Sequence, residues 1–397
     1  MDIVEKGQPG PPHDPVPRGD DGRRLRIAVL IGSLGPGGAE GVVARLAGAW
    51  ARGGDDVAVV TLAPRSQDFF ALDPAVRRVA LDLAGDSASK LAATAANARR
   101  IAALRATLRS DRPDVAVSFV DRTNLLVLAA ATGLGVPVVV CERTDPTRHV
   151  LGQPWTALRR VLYRRASAVV VQHEGLRSWA ETVTDPARVL VLPNPVIVEP
   201  DADAGVAPAD ASRRIVGVGR FSAEKGFDRL IDAFSRIAGR LPGWTLLLTG
   251  DGPERARLEA AIAASGLGGR VIVRVPTPEP WQGARPGDVF VLPSRYEGMS
   301  NALLEAMARG LAPVVTPEAG GLHGVVRDGE SALVASDGGA AALASAIERL
   351  ATDEPLRTAI AVAARRAARR FALPEVAAQW RAAVHASMAR HGVDRSS

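Results

Sequence analysis

Cysteine is almost missing from the 397-residue chain, where Cys141 stands alone. One thiol excludes an intramolecular disulfide and leaves no cysteine cluster for zinc, which favours a reducing compartment. Aromatic residues are scarce, at 4%. No basic run is interleaved with them, so the stacking platform of a nucleic-acid binder is lacking. Long apolar runs are wanting too. The longest, Leu125 to Cys141, is interrupted by Thr132, Gly133, Gly135 and Pro137 and falls short of the ~20 residues that a spanning helix needs. The opening "MDIVEKGQPGPPHDPVPRGDDGRR" has no apolar core. Residues 1–24 therefore read as a flexible tail, neither signal peptide nor anchor. The expectation is a soluble chain, at most peripheral to a membrane.

What is present is an ordinary globular composition, 47% hydrophobic and 23% charged, in a length suited to two domains. The net charge is +6, from 49 Lys and Arg against 43 Asp and Glu. Arg99, Arg100, Arg105 and Arg109 share one helical stretch, and Arg159, Arg160, Arg164 and Arg165 share another. Each cluster reads either as a solvated helix face or as a surface leaning on anionic lipid.

From Leu25 onward, β-branched runs alternate with alanine-rich helical ones. "RIAVLIGS", "DVAVVTLA", "DVAVSFV", "PVVVCE", "AVVVQ" and "VLVLPN" are strands, with helices at 90–109 and 155–165 among the connections. Around 199–212, Pro and Asp replace the periodicity and mark a linker. The pattern then restarts with strands "IVGVGR", "TLLLTG", "VIVRV", "VFVLPS" and "APVVT", and helices over 226–239, 253–265 and 301–309. Near-continuous apolar strands separated by helices predict parallel sheets covered on both faces. The fold class is α/β, with two doubly wound, Rossmann-like domains at 25–198 and 213–374. They face a central cleft, and a last helix covers about 375–390. Ligands in such sheets bind beyond the carboxyl ends of the strands, so the loops that follow strands carry the information.

Three of those loops stand out. "GSLGPGGAE" (Gly32 to Glu40) brings backbone amides and a helix N-terminus toward an anion. Gly35 and Gly37 match the first two positions of a dinucleotide fingerprint, but Glu40 occupies the third and no ribose-binding acid ends the next strand, which disfavours an oxidoreductase. In "VGVGRFSAEKGF", Gly219 and Arg220 end a strand and Lys225 precedes a helix. A planar guanidinium and a point-charge ammonium at that spacing can converge on one diphosphate. In "SRYEGMSNALLEAMARG", Glu297 lies on the loop and Ser300 is the predicted N-cap of a helix that carries Glu305 beyond its first turn. Amides at its start suit an anion. Glu305 suits the two hydroxyls of a ribose, and Glu297 whatever lies past the phosphates.

Taken together, E-x7-E after a strand, G-R-F-S-x-E-K-G and "GDGPE" resemble the retaining glycosyltransferases of family 4, which have the GT-B fold. The likeness runs from about Arg26 to 390. "VVVCERTDP", "VVVQ" and "VLPNPV" resemble members that extend polyprenyl-diphosphate-linked oligosaccharides. The resemblance implies a nucleoside-diphosphate sugar donor, most often a UDP-sugar, held mainly by the second domain. Arg220 and Lys225, beside Gly219, would contact the diphosphate, Glu305 the ribose and Glu297 the transferred sugar. Amides of Gly298, Met299, Ser300, Asn301, Ala302 and Leu303 would complete these contacts, and the Gly35, Gly37, Gly38 and Glu40 loop would face the diphosphate from the first domain. The implied acceptor is a glycan or polyprenyl-diphosphate-linked saccharide at the cytoplasmic membrane face. The final helix would pack back on the first domain, with closure hinged near Pro193–Pro195.

Many relatives place a histidine two residues after the strand that ends at Cys141, where this chain has Arg143. Arginine stays protonated and cannot serve as a base. It is left to orient a hydroxyl, bind an acceptor phosphate or pair with Glu142 or Asp145. His173 and His323 are further cleft candidates, and Trp50, Trp155, Trp179 and Trp244 read as packing residues. No Asp-x-Asp triplet ends a strand. The expectation is therefore metal-independent transfer without a cofactor, in which Arg220, Lys225 and the 301–309 helix start stabilise the leaving diphosphate and Glu297 and Arg143 act beside the reacting carbon. A nucleotide-sugar epimerase and a non-catalytic nucleotide-sugar-binding protein are the alternatives.

Overall fold

The computed structural model describes residues 23–85, 89–149, 151–199, 213–319 and 324–394. Most of the expected 1–24 tail and 199–212 linker, and His323, lie outside the described residues.

The first sheet contains β1 (Arg26–Ile31), β2 (Asp56–Thr61), β3 (Arg77–Ala80), β4 (Val115–Phe119), β5 (Val138–Cys141), β6 (Ala168–Val171) and β7 (Val189–Val191). Its order is β3-β2-β1-β4-β5-β6-β7, and every pairing is parallel. Its helices are α1 (Gly38–Arg52), α2 (Lys90–Asp111), α3 (Asp121–Ala131), α4 (Gln153–Leu162) and α5 (Arg177–Glu181). The second sheet, ordered β10-β9-β8-β11-β12-β13, is also parallel. It is built from β8 (Arg214–Val218), β9 (Thr245–Thr249), β10 (Val271–Arg274), β11 (Val289–Leu292), β12 (Ala312–Val315) and β13 (Leu333–Val334). Around it lie α6 (Phe227–Ile237), α7 (Arg255–Ala264), α8 (Asn301–Ala308), α9 (Ala340–Thr352) and α10 (Glu354–Ala368). In each sheet the strand order reverses at the middle, between β1 and β4 and between β8 and β11, which opens a crevice at the carboxyl ends.

The last helix, α11 (Leu373–Asp394), starts inside the stretch assigned to the second domain and packs on the first. Trp380 stacks on Phe119 at 5.7 Å and lies 6.5 Å from Trp50, whose indole N–H donates to Ala377 O at 3.1 Å. A buried pair, Arg381 Nε to Asp55 Oδ2 at 2.9 Å, fixes the helix further. The two passages between domains run side by side. Val196 N donates to Phe371 O at 2.8 Å, and Leu373 N donates to Val196 O at 2.9 Å.

Three elements had no clear sequence signal. β3 begins with two arginines and β13 is two residues long, both at sheet edges. α3 hides inside the Leu125–Cys141 run because a helix buried on nearly every side loses its amphipathic period. The basic clusters also need correction. Arg100 donates to Leu83 O at 2.9 Å and Gly85 O at 2.8 Å, and Arg105 donates to Ala130 O at 2.8 Å and Thr132 O at 2.6 Å. Arg159 is buried under the Trp179 ring at 4.9 Å. These three act inside the fold. Arg99, Arg109, Arg160, Arg164 and Arg165 remain exposed. Among the described residues no helix is long and apolar enough to cross a membrane.

Candidate active site

A cavity of about 960 Å³ lies between the carboxyl edges of the two sheets. Its second-domain wall begins after β8. Gly226 is left-handed (φ +67°), and a Cβ there would stand 2.1 Å from Pro293 O. Glycine therefore lets this turn close against the end of β11. The result is a bidentate ion pair: Lys225 Nζ lies 2.7 Å from Glu297 Oε1 and 2.8 Å from Oε2. Ser294 Oγ adds a donor to Oε1 at 2.8 Å, and Glu297 is buried. Arg220 is exposed in the cavity, and its guanidinium has no hydrogen bond or ion pair among the described residues.

α8 follows directly. Ser300 Oγ accepts from Leu303 N at 3.3 Å, so the predicted cap forms. Gly298, Met299, Asn301 and Ala302 line the cavity, while Leu303 faces the core. Glu305 lies one turn in, with both oxygens engaged. Arg45 of α1 donates to Oε1 at 3.0 Å, and the Trp281 indole N–H donates to Oε2 at 2.9 Å. Arg309 stacks over Trp281 at 5.3 Å.

The first-domain wall carries Gly35, Gly37, Gly38 and Glu40. The Glu40 carboxylate folds back over the start of α1 beside Gly37 and takes a hydrogen bond from its own backbone amide. Burial raises its pKa, opposed by that bond and by the charges of Arg143 and Arg220. The helix start expected to receive a phosphate is thus already covered by a carboxylate, while Gly38 O accepts from Asn301 Nδ2 at 2.7 Å.

Asn194 joins the two walls. Its Oδ1 accepts from Arg143 Nη2 and from Gln172 Nε2, and its Nδ2 donates to Met299 O at 3.1 Å and Asn301 Oδ1 at 2.6 Å. Arg143 Nε and Nη1 are buried with no hydrogen-bond partner among the described residues. Burial lowers the Arg143 pKa to about 10, which keeps it charged at neutral pH. The ion pairs with Glu142 or Asp145 do not form. Glu142 accepts from Tyr163 OH and lies 3.5 Å from Arg159, while Asp145 accepts from Thr147 N at 2.9 Å. Gln172 lines the cavity, and His173 beside it does not.

Four contributors were given no role in the sequence reading: Arg45 and Trp281, which no motif touched, and Gln172 and Asn194, which lie inside the runs "VVVQ" and "VLPNPV" that carried the family resemblance. Gln172, Asn194 and Trp281 follow strands β6, β7 and β10, so the strand-end rule reaches them in principle. Arg45 sits mid-helix, and only the meeting of two domains reveals it.

The description "Glycosyl transferases group 1" matches residues 200–367, and "Glycosyl transferase 4-like domain" matches residues 37–195. The chain is 40% identical over 159 residues to the lipopolysaccharide core biosynthesis glycosyltransferase LpsE of Rhizobium meliloti. That match spans 39% of this chain and only 44% of LpsE. LpsD of the same organism is 30% identical over 63% of this chain and 68% of its own length. An undecaprenol-diphosphate-oligosaccharide α-1,4-N-acetylgalactosaminyltransferase of Campylobacter jejuni is 23% identical over 90% of this chain and 97% of its own. In fold, the chain matches HepE of Anabaena, solved with UDP, at a TM-score of 0.68 and 20% identity over 90% of this chain and 98% of that one. Two parallel-sheet domains closing on one cleft, each half matching its own family description, place this chain among the group 1 glycosyltransferases with the GT-B fold.

Proposed function

We propose that the protein transfers a sugar from a nucleoside-diphosphate sugar, with UDP as the nucleotide, to a hydroxyl of a glycan or lipid-linked saccharide in glycoconjugate biosynthesis. The observation that carries this reading is the Lys225–Glu297 pair beside the capped start of α8, with Arg220, which has no ion pair among the described residues, lining the same cavity. HepE binds UDP, and the Campylobacter relative acts on an undecaprenol-diphosphate-linked acceptor; both support the choice of ligands.

In this reading the diphosphate rests against Arg220, Lys225 and the amides at the start of α8. The bond from the anomeric carbon to the β-phosphate oxygen breaks, and these donors stabilise the charge that develops on the leaving group. No metal is required for that task. The acceptor oxygen bonds to the same carbon from the face the diphosphate leaves, and its proton passes to a diphosphate oxygen. Configuration is retained. Glu297 holds hydroxyls of the transferred sugar and Glu305 those of the ribose. Arg143 offers its two unpartnered N–H groups to a phosphate of the acceptor, and acts by positioning because it cannot release a proton at neutral pH.

A panel of UDP-, GDP- and ADP-sugars tests the reading, scored by thermal shift and then by donor hydrolysis, with and without a chelator. Stabilisation by UDP-sugars and chelator-resistant release of UDP, with the anomer read by NMR, is the expected result. Binding without hydrolysis or transfer to any glycan offered would make the protein a non-catalytic binder, and release of a 2-epimer would make it an epimerase.

A further inference from the structure

We propose that the outer face of the first domain formed by α2 and α4 docks on an anionic lipid bilayer. In α4 the aliphatic side chains of Leu158 and Val161, one turn apart, are 40% and 57% exposed. Around them stand Arg160, Arg164 and Arg165, all exposed, with guanidiniums that have no partner among the described residues. Two bare aliphatic side chains ringed by free cations form an interfacial surface: the apolar pair enters the headgroup boundary while the arginines stay at phosphate level.

The charge distribution around this patch singles out the partner. No Asp or Glu occurs from Pro146 to His173, nor from Ser89 to Ser110 in α2. α2, α3 and α4 pack side by side on one face of the sheet, where α2 adds the exposed Arg99 and Arg109. Of the acids that border it in sequence, Asp111 is paired with Arg77 at 2.7 Å, and Asp121 lies 3.4 Å from His149. A face so free of acids complements a negative surface. A second copy of the chain is a poor occupant, because an isologous contact would set these arginines against themselves.

Position adds a second argument. Arg143, Thr144 and His149, on the segment that leads into α4, line the cavity, and Arg148 Nη1 reaches across to Arg295 O at 3.0 Å. The patch therefore begins where the first-domain wall of the cleft ends. A bilayer held there lies beside the cleft mouth. The inference goes beyond the proposed reaction and needs no donor to test.

The test is co-sedimentation of the full chain with phosphatidylcholine vesicles and with vesicles that also contain phosphatidylglycerol. Wild-type protein is expected to bind the anionic vesicles, and salt to weaken that binding. Each basic residue near such a surface is worth about fivefold in partitioning, so R160E/R164E/R165E should lose about a hundredfold or more. Leu158→Ser with Val161→Ser should remove the fraction that survives high salt. Circular dichroism and the UDP-induced thermal shift serve as controls for folding, and they separate a failure here from a failure of the proposed function. Equal binding to both vesicle types, or retention by the triple variant, would overturn the proposal. So would a wild-type dimer that the triple variant dissociates, which would assign the face to a second copy.

Discussion

Lys225 and Glu297 neutralise each other at the cavity wall. A bidentate ammonium–carboxylate contact at 2.7 and 2.8 Å stores a cation beside the start of α8 without leaving either charge unpaired. In the proposed reaction the donor's diphosphate would compete for the ammonium and free the carboxylate to turn toward the sugar. Lysine suits this exchange, because a point charge on a flexible stem can share two anions where a planar fork would be committed to one. Lys225→Ala is expected to lower kcat by about 10²–10³, the loss typical when one donor to developing negative charge is removed. Glu305→Ala should instead raise the donor KM by about ten- to a hundredfold, the value of charged hydrogen bonds to two hydroxyls. Glu305→Gln, which still accepts from Trp281, should fall between. Steady-state kinetics with the donor varied at saturating acceptor separates these outcomes; equal and small effects would mean the two roles are misassigned.

At the scale of elements, strand ends mark most of the site, and the sequence makes strand ends visible. Gly219, Arg220, Lys225, Glu297 and Arg143 were legible because each follows an apolar run that could only be a buried strand. Arg45 and Asn194 were not, since their work depends on which loop faces which helix across the cleft, and no local pattern records that. The end of β5 shows a further tie that spacing alone conceals. Asn124 Nδ2 donates to Cys141 O and to Tyr163 OH, both at 3.1 Å, and Tyr163 OH in turn donates to the buried Glu142. This chain clamps the strand end that bears Arg143 to α3 and to the end of α4. Burial raises the Glu142 pKa from 4.5 to about 7, against the pull of Tyr163 and Arg159. Between these values the folded chain holds a proton that the unfolded chain has released. The associated stability is thus complete below about pH 4.5 and is lost as pH rises through about 7, to a limit of about 3 kcal/mol. Urea denaturation across that window should show the wild type losing stability relative to Glu142→Gln, whose amide does not titrate. Asp288, also raised by burial to about 6, contributes equally to both proteins and cancels in the comparison. Parallel curves would show that Glu142 is ionised throughout.

For the whole molecule, two chain crossings and one returning helix decide how the halves move. The crossings pair at Val196 and Ala372, so rotation of one domain against the other bends both at one place. That lies just past the Pro193–Pro195 hinge expected from the sequence, where Asn194 itself is tied to the second domain. α11 anchors the far side of that hinge in the first domain. Trp380→Ala, which empties the contact with Trp50 and Phe119, should cost about 3–5 kcal/mol and lower the thermal midpoint of that domain. The close approach of the two walls needs one glycine. A Cβ on Gly298 would lie 2.1 Å from Gln172 Oε1 and 3.1 Å from Arg143 O, both across the cleft. Gln172 cannot simply swing away, because it is buried and its amide donates to Asn194 Oδ1 at 3.0 Å. An added methyl therefore pushes the walls apart and pulls Asn194 off Met299 and Asn301. Gly298→Ala should leave UDP affinity within about threefold, since the side chains proposed to hold the nucleotide stand on the second domain and the added methyl points at the first, while kcat falls about tenfold or more as close approach of the walls becomes rarer. Small-angle scattering in saturating UDP should report a larger radius of gyration than for the wild type. An unchanged kcat at wild-type dimensions would show that the two domains can meet without Gly298.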